Sequence, residues 1–163
     1  MPHPESEYDY GAYCGLYCGG CALMVATERG EVGKLLEKEE AAAYTVEQLT
    51  CHGCKTDVLA CFCADCEMRR CARERGLAFC CDCDDYPCEL NKGFQADEHP
   101  HHSVVLKNLE AIREGGAEAW LAAQLERWSC PSCGARFTWY DEKCESCGAE
   151  LYDCRAEERD AAA

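Results

Sequence analysis

Residues 51–88 read CHGCKTDVLACFCADCEMRRCARERGLAFCCDCDDYPC, and ten of the 18 cysteines of the chain lie in this stretch. The stretch has little continuous apolar pattern, so it cannot bury much core of its own. We therefore expect loops and short helices that bound metal holds in place. Across all 163 residues the cysteine content exceeds the roughly 8–10% at which cross-links organise a fold.

The spacing of the cysteines favours metal over disulfides as the cross-link. Two residues between cysteines form a tight turn that points both sulfurs at one ion, whereas disulfides gain most from closing long loops. One such pair can also be a redox dithiol, but six in one chain favour metal ligation. The six Cys-x-x-Cys pairs are Cys18/Cys21, Cys51/Cys54, Cys63/Cys66, Cys80/Cys83, Cys130/Cys133 and Cys144/Cys147.

The N-terminal sequence and the hydropathy place the protein in a reducing compartment. Residues 1–7 contain no basic segment followed by an apolar run, so we expect no signal peptide. No stretch approaches the roughly 18 consecutive apolar residues of a membrane span. We therefore expect a cytoplasmic protein with reduced thiols and no membrane partner.

The formal net charge of -15 disfavours a nucleic-acid partner. Binding to a phosphate backbone depends on basic contacts that release counterions. Each zinc bound by four thiolates would add about -2 more. The only short basic cluster, Arg69, Arg70, Arg73 and Arg75, has helical spacing and is interpreted as a solvated or salt-bridged helix face.

The predicted fold class is a small, metal-dominated α+β protein. It combines an irregular cysteine-rich region with short helices, a helical hairpin and a C-terminal zinc ribbon. The predicted units are a polar tail (1–12), a cysteine-rich metal-binding domain (13–98), the hairpin (99–128), the ribbon (129–154) and a disordered tail (155–163).

Helices are predicted from composition and from glycine stops. Residues 22–44 favour helix that Gly30 and Gly33 interrupt, and residues 65–75 favour a helix that ends at Gly76. In the hairpin, Ser103 is predicted to cap a helix over 104–114, and a second helix follows over 117–128. The aromatic residues Trp120, Trp128, Trp139 and Tyr140 are interpreted as core at the junction of hairpin and ribbon.

The strongest metal signal is the pair of knuckles at residues 130–134 (CPSCG) and 144–148 (CESCG). A glycine after the second cysteine tolerates positive φ and lets backbone N–H groups face the sulfurs. The residues between the knuckles, 135–140, have strand-forming composition. Four thiolates without an open position predict a structural zinc site, not a catalytic one, formed by Cys130, Cys133, Cys144 and Cys147.

The middle segment is divided by helix geometry. Cys66 and Cys71 lie five residues apart on the predicted helix and point about 140° away from each other, so they are poor partners for one ion. Cys61 and Cys81 could replace Cys63 and Cys80, but are interpreted as thiols without a role. The two predicted sites are therefore Cys51, Cys54, Cys63 and Cys66, and Cys71, Cys80, Cys83 and Cys88.

The N-terminal triplet Cys14, Cys18 and Cys21 is incomplete as a tetrahedral site. Its Cys-x-x-x-Cys-x-x-Cys spacing is that of radical S-adenosylmethionine enzymes, but the barrel of about 200 residues that those enzymes need is absent. The triplet is read as a third structural zinc site or as an iron–sulfur site. The candidates for a fourth ligand are an external molecule, Cys61, Cys154, His52, His99, His101 and His102, although residues 99–102 are interpreted mainly as the loop before the hairpin.

The chain resembles the domain-of-unknown-function family 3795. The resemblance rests on residues 13–21 (YCGLYCGGC), 51–54 (CHGC), 63–72 (CADCEMRRCA) and 83–88 (CDDYPC). It implies a small, cysteine-rich prokaryotic protein in which the N-terminal triplet matters for metal binding, but it implies no reaction. The hairpin and ribbon look like an extension that some members carry, and Cys61 and Cys81 are additional to the family pattern.

These observations predict a protein that binds three to four zinc ions and serves as an interaction or metal-handling module with a protein partner. No acid–base or nucleophile constellation points to an enzyme. The alternative is an iron–sulfur electron-transfer or redox accessory protein centred on the triplet, because thiolates accept both zinc and iron.

Overall fold

The computed structural model describes residues 7–162, and they are mostly helical. Four short 3₁₀ helices cover Cys18–Gly20, Glu39–Ala41, Cys80–Asp82 and Pro100–His102. The α-helices of the described range are α1 (Ala22–Arg29), α2 (Val32–Leu35), α3 (Val46–Leu49), α4 (Cys61–Ala64), α5 (Glu67–Arg75), α6 (Glu89–Gln95), α7 (Val105–Gly115), α8 (Ala117–Arg127) and α9 (Cys154–Ala162).

The strand content is lower than the α+β expectation. Within residues 7–162, extended backbone pairs only in three isolated antiparallel bridges, at Gly11↔Tyr17, Ser129↔Arg136 and Lys143↔Glu150. The strand expected over 135–140 is reduced to the single bridge at Arg136. Most residues near Arg136 belong to the two knuckle turns, so few residues remain to form the backbone hydrogen bonds of a longer strand.

Glycines end the helices where the sequence predicts. Gly30 follows α1 with φ 68°, and Gly76 follows α5 with φ 67°, so both adopt the left-handed conformation that side chains disfavour. The Gly30 N–H donates hydrogen bonds to the carbonyl oxygens of Ala26 and Thr27. Helix α2 begins two residues later, so the predicted interruption of 22–44 is observed.

Helices α7 and α8 form the predicted hairpin, and Gly116 between them has φ 89°. The predicted cap at Ser103 is wrong. Helix α7 begins at Val105 with Val104 in the N-cap position, and the Ser103 hydroxyl oxygen is buried without a hydrogen-bond partner among the described residues. The 3₁₀ helix before α7 ends at His102 and turns the Ser103 side chain inward.

The main hydrophobic core joins the hairpin to the cysteine-rich region. Leu109 and Trp120 of the hairpin are buried in one cluster with Tyr17 and Phe79. Helix α7 also packs against the 3₁₀ helix Cys80–Asp82. A smaller, separate cluster holds α1, α2 and α3 together.

Both ends of the described chain belong to the fold. The polar tail expected over 1–12 is packed from residue 8 onward, since the Asp9 N–H donates to the His52 carbonyl (2.8 Å) and the Tyr10 carbonyl accepts from the Cys18 N–H (2.7 Å). Residues 155–162, expected as part of a disordered tail, form α9 together with Cys154. The Asp153 carboxylate caps this helix by accepting from the Ala156 N–H at 3.0 Å.

Helix α9 is attached to the rest of the molecule by an ion pair and by packing. Glu157 pairs with Arg127 of α8 at 3.0 Å, and α9 packs against the 3₁₀ helix Pro100–His102. Among residues 7–162, the longest apolar helical segments fall short of what crossing a membrane requires.

Candidate metal centres

The two knuckles of the C-terminal site have the same backbone turn. Gly134 and Gly148 have φ values of 78° and 75°, and each donates its N–H at 2.8 Å to the carbonyl of the first cysteine of its knuckle. A side chain at either position would strain this turn. The predicted role of the two glycines is therefore observed.

The four sulfurs of this site converge on one point. The Sγ atoms of Cys130 and Cys147 lie 3.7 Å apart, and those of Cys133 and Cys144 lie 3.6 Å apart. All four lie within 4.8 Å of one another. Sulfurs about 2.3 Å from a tetrahedral ion are separated by about 3.8 Å, so the four thiols could hold one metal ion. Cys130 and Cys144 are buried, whereas Cys133 and Cys147 face solvent.

Backbone amides of the knuckle favour thiolate over thiol. The N–H groups of Cys133 and Ser132 point at the Cys130 sulfur and lower its pKa to about 7. At Cys147 the Ala149 N–H lowers the pKa, but desolvation and the sulfurs of Cys133, Cys130 and Cys144 raise it to about 12. Metal ligands must be deprotonated, so an ion bound here would displace the proton of Cys147.

Arg136 connects this site to the N-terminal cysteines. Its Nε and Nη2 atoms donate to the Gly19 carbonyl oxygen at 2.8 and 2.6 Å, and its Nη1 atom pairs with Glu28 at 2.8 Å. The Trp139 N–H donates to the Gly20 carbonyl at 2.9 Å. The C-terminal module therefore supports the loop between Cys18 and Cys21.

The second predicted middle site surrounds a small cavity of about 30 Å³. Cys83 accepts a hydrogen bond from Arg75 at 2.9 Å and from the Asp85 N–H at 3.4 Å. The Cys88 sulfur lies 3.2 Å from Oδ1 of the buried Asn91. The cavity is lined by all four predicted thiols, Cys71, Cys80, Cys83 and Cys88, together with apolar side chains.

The thiols of the N-terminal triplet lie near those of the first middle site. Burial raises the pKa of Cys14, and Cys54, Cys66 and, from the second middle site, Cys80 raise it further. We call the triplet and the first middle site together the seven-thiol cluster. Its members are Cys14, Cys18, Cys21, Cys51, Cys54, Cys63 and Cys66.

Cys18 and Cys63 show how the two predicted sets interleave. Burial and then Cys54, Cys21, Cys14 and Cys51 raise the pKa of Cys18. Burial raises the pKa of Cys63 to about 12, and Cys51, Cys21, Cys54 and Cys66 contribute in that order. The thiols closest to the triplet are thus those of the middle segment.

The spacing of the cluster differs from that of the C-terminal site. Among the described residues, only the Cys130 set brings four thiols within 4.8 Å of one another.

Lys55 lies beside the seven-thiol cluster, where its Nζ atom sits 3.5 Å from the Phe79 ring centroid. Burial lowers the pKa of Lys55, while Asp9 and Cys54 raise it. Lys55 therefore offers positive charge to a group of thiolates.

Cys154 and His52, two of the residues considered as a fourth ligand of the triplet, contact other groups. Cys154 is 1% exposed, and a hydrogen bond links it to Tyr140. His52 pairs with Glu7 at 3.5 Å. Cys61 begins α4 and is half-buried, while Cys81 is buried in the main core. Nothing in the sequence indicates that Cys54 lies near the triplet, because the two segments are distant along the chain and are brought together by tertiary contacts.

The comparisons with known proteins identify a family for the N-terminal half. The family model DUF3795, described as "Protein of unknown function", matches residues 10–93, more than half of the 163 residues. The search of curated proteins and the search of solved structures each found no match. The hairpin and the Cys130 site lie beyond the matched residues. The chain belongs to the family DUF3795, whose members are described as proteins of unknown function.

Proposed function

We propose that the chain is a multi-site zinc protein that serves as an interaction or metal-handling module. The observation that carries this proposal is the separation of the C-terminal sulfurs, 3.6 and 3.7 Å, which matches the edge of a tetrahedral zinc–thiolate site. Four protein thiolates fill all positions of such a site, so the ion there holds a zinc ribbon together and takes no part in a reaction.

The cavity between Cys71 and Cys88 supports a second ion. Four thiols line a cavity of about 30 Å³, larger than the roughly 10–15 Å³ that such a cavity needs to hold one water molecule. Arg75 donates to the Cys83 sulfur at 2.9 Å, as expected for a thiolate that carries negative charge. We propose that this set binds zinc as a closed structural site, which requires its sulfurs to move closer together, because no three of them lie within 4.8 Å of one another.

The seven-thiol cluster supports the metal-handling part of the proposal. Seven thiols exceed the four that one zinc ion needs, so the cluster could hold two ions that share a ligand or exchange one ion between sets. Metal exchange of this kind needs a reducing compartment, which agrees with a cytoplasmic location. We propose a protein as the partner, because the net charge of -15 opposes nucleic acid.

One observation favours iron–sulfur chemistry as a second candidate for the same cluster. Within residues 7–162, its thiols form no group of three whose sulfurs lie within 4.8 Å of one another. The core of an iron–sulfur cluster separates its ligand sulfurs more widely than a single ion does. An electron-transfer or redox accessory role would then centre on Cys14, Cys18 and Cys21.

Anaerobic purification followed by metal analysis and a visible spectrum separates the two functions. The zinc proposal expects colourless protein with three to four zinc ions per chain. Brown protein that contains iron and acid-labile sulfide would replace it with the iron–sulfur function.

A matched pair of variants locates the C-terminal ion. Cys133→Ser should lose one zinc ion per chain and lose order only in residues 129–154, whereas Cys81→Ser should keep the full complement. Equal metal content in Cys133→Ser and the unchanged protein would show that these four sulfurs hold no ion.

A further inference from the structure

Three side chains between α6 and α7 converge outside the thiol sites. One ligand atom from each of Asp97, His99 and His102 lies within 4.8 Å of the others. The Asp97 carboxylate lies 2.8 Å from the His102 Nδ1 atom and 3.3 Å from the His99 Nδ1 atom. These residues follow the segment that the family model matches, so they belong to the C-terminal part of the chain.

The local backbone brings the two imidazoles to the same side. His99 precedes the 3₁₀ helix Pro100–His102 and His102 ends it. The ring centroids of His99 and His102 lie 4.9 Å apart, and the two ring planes are tilted by 42°. Asp97 is fixed below them because its carboxylate also accepts from the His99 N–H at 2.9 Å.

The ring of His102 is held by the surrounding fold. Only 9% of its side chain is exposed, and it stacks on Phe94 of α6 at a centroid distance of 3.7 Å. Such support fixes the orientation of a histidine ligand. His101 points elsewhere, since its Nδ1 atom lies 2.6 Å from the Tyr140 hydroxyl and its ring stacks on Trp139.

The spacing of the three groups suits one divalent cation. Nitrogen and oxygen ligands at about 2.0–2.2 Å from a tetrahedral ion lie roughly 3.3–3.6 Å apart. The observed separations of 2.8 and 3.3 Å require only a slight outward movement. Asp97 and His99 remain 32% and 51% exposed, so a cation and a further ligand can enter from solvent.

We propose that Asp97, His99 and His102 form a separate binding site for a divalent transition-metal cation such as Zn²⁺. Two imidazoles and one carboxylate are borderline and hard donors, unlike the soft thiolates of the other centres. Three protein ligands leave at least one coordination position open for water or another molecule. This site therefore exchanges its ion more readily than the closed thiolate sites.

The test uses the full chain with its thiolate sites already loaded with zinc. Further Zn²⁺ is added after gel filtration, while calorimetry counts the ions bound and nuclear magnetic resonance follows the histidine ring nitrogens. One additional ion per chain should bind, and the ring signals of His99 and His102 should shift together in that titration.

Asp97→Asn and His99→Asn provide the decisive variants, because both residues are exposed enough to replace without disturbing the core. Each should weaken the binding of the additional ion at least tenfold. Glu98→Gln, which removes the same charge from the neighbouring residue, should bind like the unchanged protein. Unshifted ring signals, or equal weakening by Asp97→Asn and Glu98→Gln, would overturn the proposal.

Discussion

Gly53 shows how a single residue allows the seven-thiol cluster to form. It lies inside the Cys51/Cys54 turn with φ 114°, a conformation that only glycine adopts without strain. A Cβ atom at this position would overlap the carbonyl oxygen of Asp9. The N-terminal segment can therefore approach the turn only because residue 53 has no side chain.

We predict that Gly53→Ala destabilises the zinc-loaded protein by about 1–3 kcal/mol, the cost of holding a residue in a disfavoured conformation. Thermal unfolding in reducing buffer measures the change. Gly33→Ala is the matched control, because a Cβ atom there meets nothing within 4 Å and Gly33 lies within α2. Alanine should stabilise that helix by up to about 1 kcal/mol. If Gly53→Ala and Gly33→Ala changed the thermal stability in the same direction and by a similar amount, the role assigned to Gly53 would be wrong.

The positive φ of the knuckle glycines could be predicted from sequence, but the thiols that lie near the N-terminal triplet could not. Gly134 and Gly148 follow a repeated local pattern, and the structure gives both a positive φ. The approach of Cys54 to Cys14 depends on the Tyr13 N–H, which donates to the Cys54 sulfur across 41 residues. Spacing along the chain contains no information about such a contact.

Arg136, together with the hydrogen bond from the Trp139 N–H to the Gly20 carbonyl, joins the C-terminal module to the loop of the N-terminal cysteines. Its guanidinium makes two hydrogen bonds to one carbonyl oxygen, that of Gly19, and pairs with Glu28. A lysine keeps the charge but cannot reproduce this forked geometry. The docking of the two parts therefore depends on the shape of the side chain as well as on its charge.

Arg136→Lys should lower the free energy of unfolding by about 1–3 kcal/mol, as expected when a partly buried carbonyl loses its donors. Urea unfolding of the zinc-loaded protein measures this, and exchange of the Gly20 and Trp139 amides should become faster. Arg113→Lys is the control, since Arg113 forms an exposed pair with Glu110 at 3.3 Å and lies 5.7 Å from the Tyr86 ring centroid, and it donates to no buried carbonyl among the described residues. Unchanged stability in Arg136→Lys would show that the module docks by other contacts.

At the start of α7, a substitution is predicted to leave the free energy of unfolding unchanged or to raise it. The Ser103 hydroxyl is buried without a hydrogen-bond partner among residues 7–162, whereas the Ser129 hydroxyl donates to the Leu125 carbonyl at 2.7 Å. Ser103→Ala should therefore be neutral or stabilise by up to about 1 kcal/mol, and Ser129→Ala should destabilise slightly. Urea unfolding of both variants tests this, and marked destabilisation by Ser103→Ala would show that its hydroxyl has a partner.

Periodicity and glycine stops predicted α7 and α8 within a residue or two, but they missed α9. Residues 154–162 are charged and alanine-rich, a composition typical of an exposed tail. Helix α9 depends instead on the Asp153 cap and on the pair between Glu157 and Arg127, which is distant in sequence. A helix of nine residues is too short to form without such tertiary support.

With metal in the proposed thiol sites, folding and metal binding are coupled across the whole molecule. The longest helices of the described chain, α7 and α8, have 11 residues each, below the roughly 12–15 that an isolated helix needs. The main core includes buried thiols such as Cys14 and Cys80 among its apolar side chains. Without metal these thiols leave the core without cross-links, and the helices lose the surface on which they pack.

Removal of metal by a strong chelator under reducing conditions should therefore unfold most of the molecule in one transition. Near-ultraviolet circular dichroism should lose the signal of Trp128, which packs on Phe137 at 5.3 Å next to the C-terminal site. Far-ultraviolet helical signal should fall in parallel, and added Zn²⁺ should restore both. Metal analysis of the chelated sample confirms removal. If the metal-free protein retained its helical signal, hydrophobic packing alone would be sufficient to hold the fold, and the coupling argued from its short helices would be wrong.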